Sequence, residues 1–218
     1  MARATHVIWK SAYKLFNAAE KLPGPARLLA RPRLAALRDR VLTRYVTGLP
    51  DRRYWNETIM PALLSAGFER VLFVGCAVYT ARIHQAFEQR GIACWTTDIV
   101  PENAAWGNPR HHLVADIACI TDHAPAGHFD AILFNGVMGY GVTGEGMQAV
   151  APALHTLLRP GGLLLIGWNQ GLVEDPLTLP WVTRLFSPGH AVPLPARQGF
   201  KDSTHTFDVL SRVDAPAD

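Results

Sequence analysis

Short apolar runs alternate with helix-length segments from residue 70 onward. Segments 80–90, 101–107 and 145–158 separate runs that are rich in Val, Ile and Leu. Buried strands in such an alternation are typical of a parallel sheet with helices on both faces. The strand candidates read RVLFVG, IACWTTD, HHLVAD, FDAILFNG and GGLLLIGWN. We therefore expect an α/β, doubly wound, mainly parallel sheet of seven strands.

The last strand candidate follows an interruption. A proline-rich stretch over 171–198 breaks the alternation, and THTFDVLSRV then shows period-two spacing at Phe207, Val209 and Ser211. We expect residues 204–212 to join the sheet as an antiparallel strand, and we place the proline-rich stretch at a lid over the sheet edge.

The first 53 residues have a helical pattern instead. A first helix is expected to end at LPGP (22–25), a second to cover 33–47, and a third, broken near Pro61, to lead into the sheet. The first helix has an apolar side and an opposite side lined by lysines: Ile8, Ala12, Leu15, Phe16 and Ala19 against Lys10, Lys14 and Lys21.

Charge divides the chain at the same place. The whole chain carries a formal net charge of +3, but residues 1–53 hold twelve Lys and Arg against Glu20, Asp39 and Asp51. That segment therefore has a formal net charge of +9, and the remainder of the chain has one of −6. We expect a basic N-terminal helical cap over 1–53 and a separate acidic domain over 54–218.

Composition limits the class of protein. A chain of 218 residues that is 49% hydrophobic fits one domain with a sizeable core. No apolar run approaches the roughly 18 residues of a membrane span, and the first residues do not resemble a secretory signal, although their basic character leaves a transit peptide open. We expect a cytoplasmic protein in which Cys76, Cys94 and Cys119 are small buried hydrophobes.

The loop after the first strand candidate resembles a cofactor turn with few glycines. A dinucleotide fingerprint needs three glycines, and the three positions here are Gly75, Ala77 and Thr80. The substitution of the last glycine by Thr80 argues against NAD or FAD. The loop also lacks the lysine of a Walker-type phosphate loop. From the loop alone, a cofactor turn and an ordinary strand-to-helix bend are equally acceptable.

Two acids at the following strand ends favour the cofactor turn. Asp98 ends the second strand candidate, 23 residues after Gly75, where a carboxylate can accept hydrogen bonds from both hydroxyls of a ribose. Asp116 ends the third, where a carboxylate can accept a hydrogen bond from an adenine amino group. Each acid alone is commonly a surface residue, but the succession of both after a glycine turn points to a nucleoside.

These motifs resemble those of the class I S-adenosylmethionine-dependent methyltransferases over about residues 54–212. VLFVGCAVYT corresponds to motif I, TTD to the ribose acid, VADI to the adenine-facing acid, and LLRPGGLLLIGWN to the turn and fifth strand. The resemblance implies a Rossmann-like fold and S-adenosylmethionine as cofactor. Motif I departs from the family, which usually has glycine where Ala77 and Tyr79 stand. The cofactor-binding residues that it implies are Gly75, Cys76, Ala77, Tyr79, Asp98, Ile99, Asp116, Ile117, Asn135 and Gly136.

The acceptor side of the site is less defined. Asn135 and Tyr140 follow the fourth strand candidate, and Trp168 and Asn169 end the fifth, so all four are candidates to contact the acceptor or the methionine part. We take Asn135, Tyr140 and His205 as the catalytic candidates, with a histidine as general base only where the acceptor must lose a proton. None of the nine histidines forms an HExxH or His-x-His pattern, so we expect no metal.

Two functions follow. The first is a methyltransferase that acts on a small-molecule oxygen or nitrogen in biosynthesis. The alternative is a non-catalytic or repurposed protein that binds the same cofactor. No nucleic-acid motif is present, so we expect no nucleic-acid partner.

The basic cap also has two interpretations. Its apolar side either packs over the substrate pocket, with the lysines in water, or its basic surface recruits an anionic partner such as a membrane surface, a phosphate-bearing substrate or an acidic carrier protein. Both keep residues 1–53 out of the cofactor site, so deletion of the cap is expected to spare cofactor binding and abolish transfer. The second also predicts activity that falls with salt and with substitution of Lys10, Lys14 and Lys21.

Overall fold

An eight-stranded sheet forms the centre of the molecule in the computed structural model, which describes residues 32–214. The strand order is β3-β2-β1-β4-β5-β8-β6, and β7 pairs with the same edge of β8. The strands are β1 (Arg70–Val74), β2 (Ala93–Asp98), β3 (His112–Val114), β4 (Phe129–Asn135), β5 (Leu158–Asn169), β6 (Phe186–Pro188), β7 (Arg197–Phe200) and β8 (Ser203–Arg212).

The sheet is mainly parallel, as predicted. Strands β1 to β5 pair in parallel, whereas β8 runs antiparallel to β5 with Leu163 opposite Ser211 and Asn169 opposite His205. The predicted antiparallel strand over 204–212 is thereby confirmed. The sheet has eight strands rather than the predicted seven, and the two that match no strand candidate, β6 and β7, lie within or at the end of the proline-rich stretch 171–198. Both are short strands at the edge, and proline is tolerated at such positions although it weakens the strand signal in the sequence.

Helices cover the sheet and form the N-terminal segment. They are α1 (Pro32–Thr47), α2 (Pro50–Tyr54), α3 (Met60–Leu64), α4 (Ile83–Glu88), α5 (Met147–Leu157) and α6 (Pro180–Thr183). Helix α1 confirms the predicted helix over 33–47. The first predicted helix, with Lys10, Lys14 and Lys21, lies outside the described residues, so its role stays a prediction.

The predicted break near Pro61 is a π-helical turn. Residues Trp55–Ile59 join α2 to α3 without a break in the helical structure, and Pro61 is the second residue of α3. Proline has no N–H to give to the carbonyl four residues back, so the helix loses a bond there and widens. The predicted boundary between residues 53 and 54 falls inside α2.

The core lies on both faces of the sheet. Val71 and Phe73 of β1 pack with Trp55, Ile59 and Phe87 on one face. Leu72 and Val74 pack on the other face with the buried side of α5. Successive side chains of a strand point to opposite faces of the sheet. Because both faces are buried here, every position in these runs is apolar. Among residues 32–214, no helix has both the length and the apolar character needed to cross a bilayer.

Candidate active site

A cavity of about 770 Å³ opens at the carboxyl ends of the parallel strands. In an open parallel sheet this edge is where ligands bind, and the volume falls in the usual range for a cofactor or substrate site. All ten predicted cofactor-binding residues line it, together with the catalytic candidates Tyr140 and His205: Gly75, Cys76, Ala77, Tyr79, Asp98, Ile99, Asp116, Ile117, Asn135 and Gly136.

The turn after β1 depends on Gly75 and Thr80. Gly75 has a φ of +86°, which favours glycine, and a Cβ there would lie 2.9 Å from Val137 Cγ2. Thr80 is buried, and its hydroxyl accepts a hydrogen bond from the N–H of Ala77 at 2.9 Å. The threonine that replaces the last glycine therefore closes the loop with its own side chain.

Asp98 holds this loop against β2. Its Oδ2 accepts a hydrogen bond from the N–H of Cys76 at 2.7 Å, and its Oδ1 accepts one from the N–H of Val100 at 2.9 Å. Each carboxylate oxygen can accept a further bond, so the group remains able to bind two hydroxyls. Burial, and then the Asp98 charge, raise the pKa of Cys76 to about 12, so this cysteine is a neutral thiol.

The neighbouring wall combines one more acid with apolar surface. Asp116 is exposed, and its Oδ1 accepts a hydrogen bond from the N–H of Ala118 at 2.9 Å. Ile99 is 61% exposed beside Asp98, whereas Ile117 is buried. An exposed isoleucine next to two carboxylates suits the flat face and polar edge of a purine nucleoside.

A polar cluster lies where β4, β5 and β8 end side by side. His205 is buried, with Nε2 3.1 Å from Asn135 Oδ1 and Nδ1 3.2 Å from Asn169 Oδ1. Burial lowers the pKa of His205 to about 4; Asp51 raises it and Arg52 lowers it, each by less. The imidazole is therefore neutral near pH 7.

A neutral imidazole carries one N–H, so it can donate to only one of the two amide oxygens. The other amide must present its NH2 group to the ring. Asn135 Nδ2 is buried and lacks a hydrogen-bond partner within the described part of the chain. A half-turn of the Asn135 amide satisfies the ring, and it leaves the Asn135 oxygen as the atom that needs a donor from elsewhere.

Gly167 is a residue of this site that the sequence analysis missed. It lies opposite Asn135 in the pairing of β4 with β5, and a Cβ there would lie 1.9 Å from Asn135 Oδ1 and 2.9 Å from His205 Nε2. Only glycine leaves room for the two side chains to meet. The sequence shows the glycine, but it does not show that the side chains of Asn135 and His205 lie next to it in the fold.

The N-terminal segment also contributes to the cavity, contrary to the expectation that residues 1–53 stay outside it. Five of its described residues line the wall: Leu42, Val46, Leu49, Asp51 and Arg52. Asp51 is buried and accepts a hydrogen bond from the Ser203 hydroxyl at 3.1 Å. No sequence motif marks these residues, because their position depends on how α1 and α2 pack against the sheet.

Two aromatic candidates have different positions. Trp168 is buried and does not line the cavity, which corrects its assignment as a contact residue. Its indole N–H instead donates to Asp208 Oδ2 at 2.8 Å. Period-two alternation explains this, because Asn169 points to the site and its neighbour points to the core. Tyr140 lies at the cavity rim and is 73% exposed.

The remaining titratable residues are dispersed. Within residues 32–214, no group of three or more His, Cys, Asp or Glu could hold a metal ion. Cys76 and Cys94 are buried as expected, but Cys119 is exposed, in a 3-10 turn (Ile117–Asp122) outside the core.

Several solved structures with a similar fold are methyltransferases. The N-methyltransferase NodS from Bradyrhizobium japonicum WM9, in complex with S-adenosyl-L-homocysteine, has 19% identity and a TM-score of 0.55 over 77% of this chain and 89% of that chain. A TehB-like S-adenosylmethionine-dependent methyltransferase from Corynebacterium glutamicum has 18% identity and a TM-score of 0.55, over 75% and 96%. The 1,6-didemethyltoxoflavin-N1-methyltransferase of Burkholderia thailandensis has 21% identity and a TM-score of 0.50, over 88% and 91%.

These comparisons confirm the predicted resemblance at the level of the fold: the chain has the Rossmann-like fold of the class I methyltransferases. No protein-family model matches the chain. No curated protein matches it either.

Proposed function

We propose that the protein is an S-adenosylmethionine-dependent methyltransferase that acts on a small molecule. The observation that carries the proposal is Asp98: its carboxylate joins the Gly75 turn to β2 and faces a cavity on a sheet with the methyltransferase fold. The neighbours NodS and the toxoflavin enzyme were solved with S-adenosylhomocysteine bound. Their identities with this chain are low, so the acceptor is inferred from this cavity alone.

The cavity suits the cofactor in chemistry as well as in size. Asp98 is placed to accept from the ribose hydroxyls, Asp116 from the adenine amino group, and Ile99 offers an apolar surface to the ring. Ala77 and Tyr79 stand in place of glycines, yet they line the cavity wall without closing it. The cofactor supplies an electrophilic methyl group on a sulfonium, and the protein must position the acceptor and exclude water.

The cluster of Asn135, Asn169 and His205 supports an acceptor with an N–H or O–H group. Asn135 lines the cavity beside a neutral His205, so its amide can hydrogen-bond to the acceptor and orient the lone pair of the nucleophile. His205 positions this amide, and since it is neutral near pH 7 it does not repel a cationic cofactor. Its buried ring and committed nitrogens make it a positioning residue rather than the general base.

Calorimetry with S-adenosylhomocysteine tests the cofactor site. Asp98→Ala removes both ribose hydrogen bonds and the two backbone bonds that hold the loop, so affinity should fall by at least about 2–3 kcal/mol, on the order of 50-fold. Asp122→Ala is the control, because Asp122 is an exposed acid outside the cavity. A wild-type protein that does not bind S-adenosylhomocysteine would contradict the proposal.

Turnover decides between the enzyme and a non-catalytic cofactor-binding protein. Phenols, amines, sugars and carboxylates are supplied with S-adenosylmethionine, and release of S-adenosylhomocysteine is measured. We expect release that depends on at least one acceptor. Binding without any release across a broad panel would favour the non-catalytic alternative.

A further inference from the structure

Arg52 is the one Lys or Arg among the described residues that line the cavity, which otherwise carries the carboxylates of Asp51, Asp98 and Asp116. It comes from α2, in the segment expected to stay away from the cofactor. We therefore asked what a cationic side chain could bind at this position.

The guanidinium lies over the ends of the two central strands. Its central carbon is 5.2 Å from the centroid of the Tyr79 ring, in the loop after β1. Its Nη2 would be 3.8 Å from a Cβ at Gly136, directly after β4. Since the strand order is β2-β1-β4, Arg52 stands on the β4 side of the Gly75 turn, and Asp98 stands on the β2 side.

Arg52 lines the cavity with a mostly buried side chain, and its guanidinium has no acceptor at hydrogen-bond distance within residues 32–214. The side chain is 14% exposed, and the nearest carboxylate oxygen, Asp51 Oδ2, is 3.7 Å from Nε. Within residues 32–214 the guanidinium makes no hydrogen bond, although Asp51 itself accepts one from Ser203. A guanidinium presents five N–H groups in a planar fork, so Arg52 has donors free to bind an acceptor that enters the cavity.

We propose that Arg52 binds a carboxylate of a ligand in this cavity. The inference rests on the proposed function, which offers two sources: the carboxylate of the cofactor's methionine part, and a carboxylate on the methyl acceptor. A planar monoanion matches the guanidinium fork in two parallel hydrogen bonds. A phosphate dianion fits less well, because Asp51, Asp98 and Asp116 would repel its second charge.

The first arm of the test compares two cofactor-derived ligands by calorimetry. S-adenosylhomocysteine has the carboxylate, whereas 5′-methylthioadenosine lacks the whole amino-acid part. If the carboxylate is the cofactor's, Arg52→Gln weakens S-adenosylhomocysteine roughly 10- to 100-fold and leaves 5′-methylthioadenosine unchanged. Arg53→Gln is the matched control, because this exposed neighbour on α2 removes the same charge outside the cavity. Arg52→Lys, which keeps the charge and loses the fork, should fall between.

The second arm uses benzoate as a carboxylate probe, with and without saturating S-adenosylhomocysteine. If the carboxylate is the acceptor's, Arg52→Gln spares S-adenosylhomocysteine and weakens benzoate roughly tenfold or more. The inference is overturned if Arg52→Gln matches Arg53→Gln in both arms, or if it weakens S-adenosylhomocysteine and 5′-methylthioadenosine equally, which indicates a structural role. A wild-type protein that binds neither nucleoside refutes the proposed function instead, and the benzoate arm still decides the role of Arg52.

Discussion

His205 has a measurable effect on stability because it is buried and uncharged. Its pKa is lowered to about 4, chiefly by burial, against about 6.5 in the unfolded chain. As the pH falls, His205 is therefore protonated in the unfolded chain before it is protonated in the folded protein. Its burial costs no stability above about pH 6.5, and the free energy of unfolding decreases as the pH drops from 6.5 towards 4. Asp51 and Arg52 face the ring with opposite charges and partly offset each other.

We expect the free energy of unfolding of the wild type to lose about 2.4 kcal/mol more than that of His205→Gln between pH 7 and pH 4.5. Urea unfolding at each pH measures this difference. His123→Gln, at an exposed histidine, should track the wild type. If the free energy of unfolding changes with pH by the same amount in the wild type and in His205→Gln, then His205 has the same pKa in the folded and unfolded states.

At the scale of single residues, the sequence predicts best where a residue's role follows from its place along a strand. Gly75, Asp98 and Asp116 come at strand ends, and parallel strands bring their ends to one edge, so the cavity wall could be foreseen. Gly167 and Arg52 could not, because their roles depend on distances across the fold. The prediction for Trp168 was wrong for a related reason. Successive side chains of β5 point to opposite faces, so Asn169 lines the cavity whereas Trp168 lies in the core.

Among the elements, β7 is joined to β8 by an ionic cluster as well as by backbone pairing. Arg197 on β7 bonds Asp208 on β8, with Nε to Oδ1 at 2.6 Å, and also Asp175, with Nη2 to Oδ1 at 2.6 Å. Its guanidinium lies 5.7 Å from the Trp168 ring centroid. The Asp208 side chain is fully buried, so it needs this partner.

Arg197→Met should lower the free energy of unfolding by about 3 kcal/mol, the lower end for a broken buried pair, because the arginine itself is 39% exposed. Urea denaturation measures it. The double variant Arg197→Met with Asp208→Asn should recover part of the loss, since no buried charge remains unpaired. Arg184→Met, at an exposed arginine, should change stability by less than about 0.5 kcal/mol. An equal loss in the single and double variants would mean that packing, not charge, holds β7.

The long elements were predictable because their signals are internal. The apolar runs of β1, β4 and β5 and the helical spacing of α1 predict those elements without reference to the rest of the chain. Strands β6 and β7 have only three and four residues, and they exist because the edge of β8 offers unpaired backbone groups. The helix predicted over 101–107 is instead a 3-10 helix (Pro101–Trp106). None of its residues is buried, so it is held by short local hydrogen bonds rather than by an apolar face.

For the molecule as a whole, the main departure from the sequence analysis concerns the N-terminal segment. Helix α1 packs against the 3-10 turn Val78–Thr80, which belongs to the loop after β1. Leu42 and Val46 on this helix line the same cavity as Gly75 and Asp98. The segment is therefore a wall of the proposed cofactor site, and its loss is now expected to weaken cofactor binding as well as transfer.

Substitutions in the intact chain test this wall. Leu42→Ser together with Val46→Ser removes apolar surface that a bound nucleoside would cover, so affinity for S-adenosylhomocysteine should fall by about 1–1.5 kcal/mol, roughly tenfold. Leu37→Ser is the matched control, because Leu37 lies on the same helix, is 47% exposed and does not line the cavity. Calorimetry measures affinity, and thermal unfolding confirms that each variant is folded. If the double variant binds as tightly as Leu37→Ser, then α1 covers the loop without contacting the cofactor, and the original expectation that this segment serves only the acceptor side regains support.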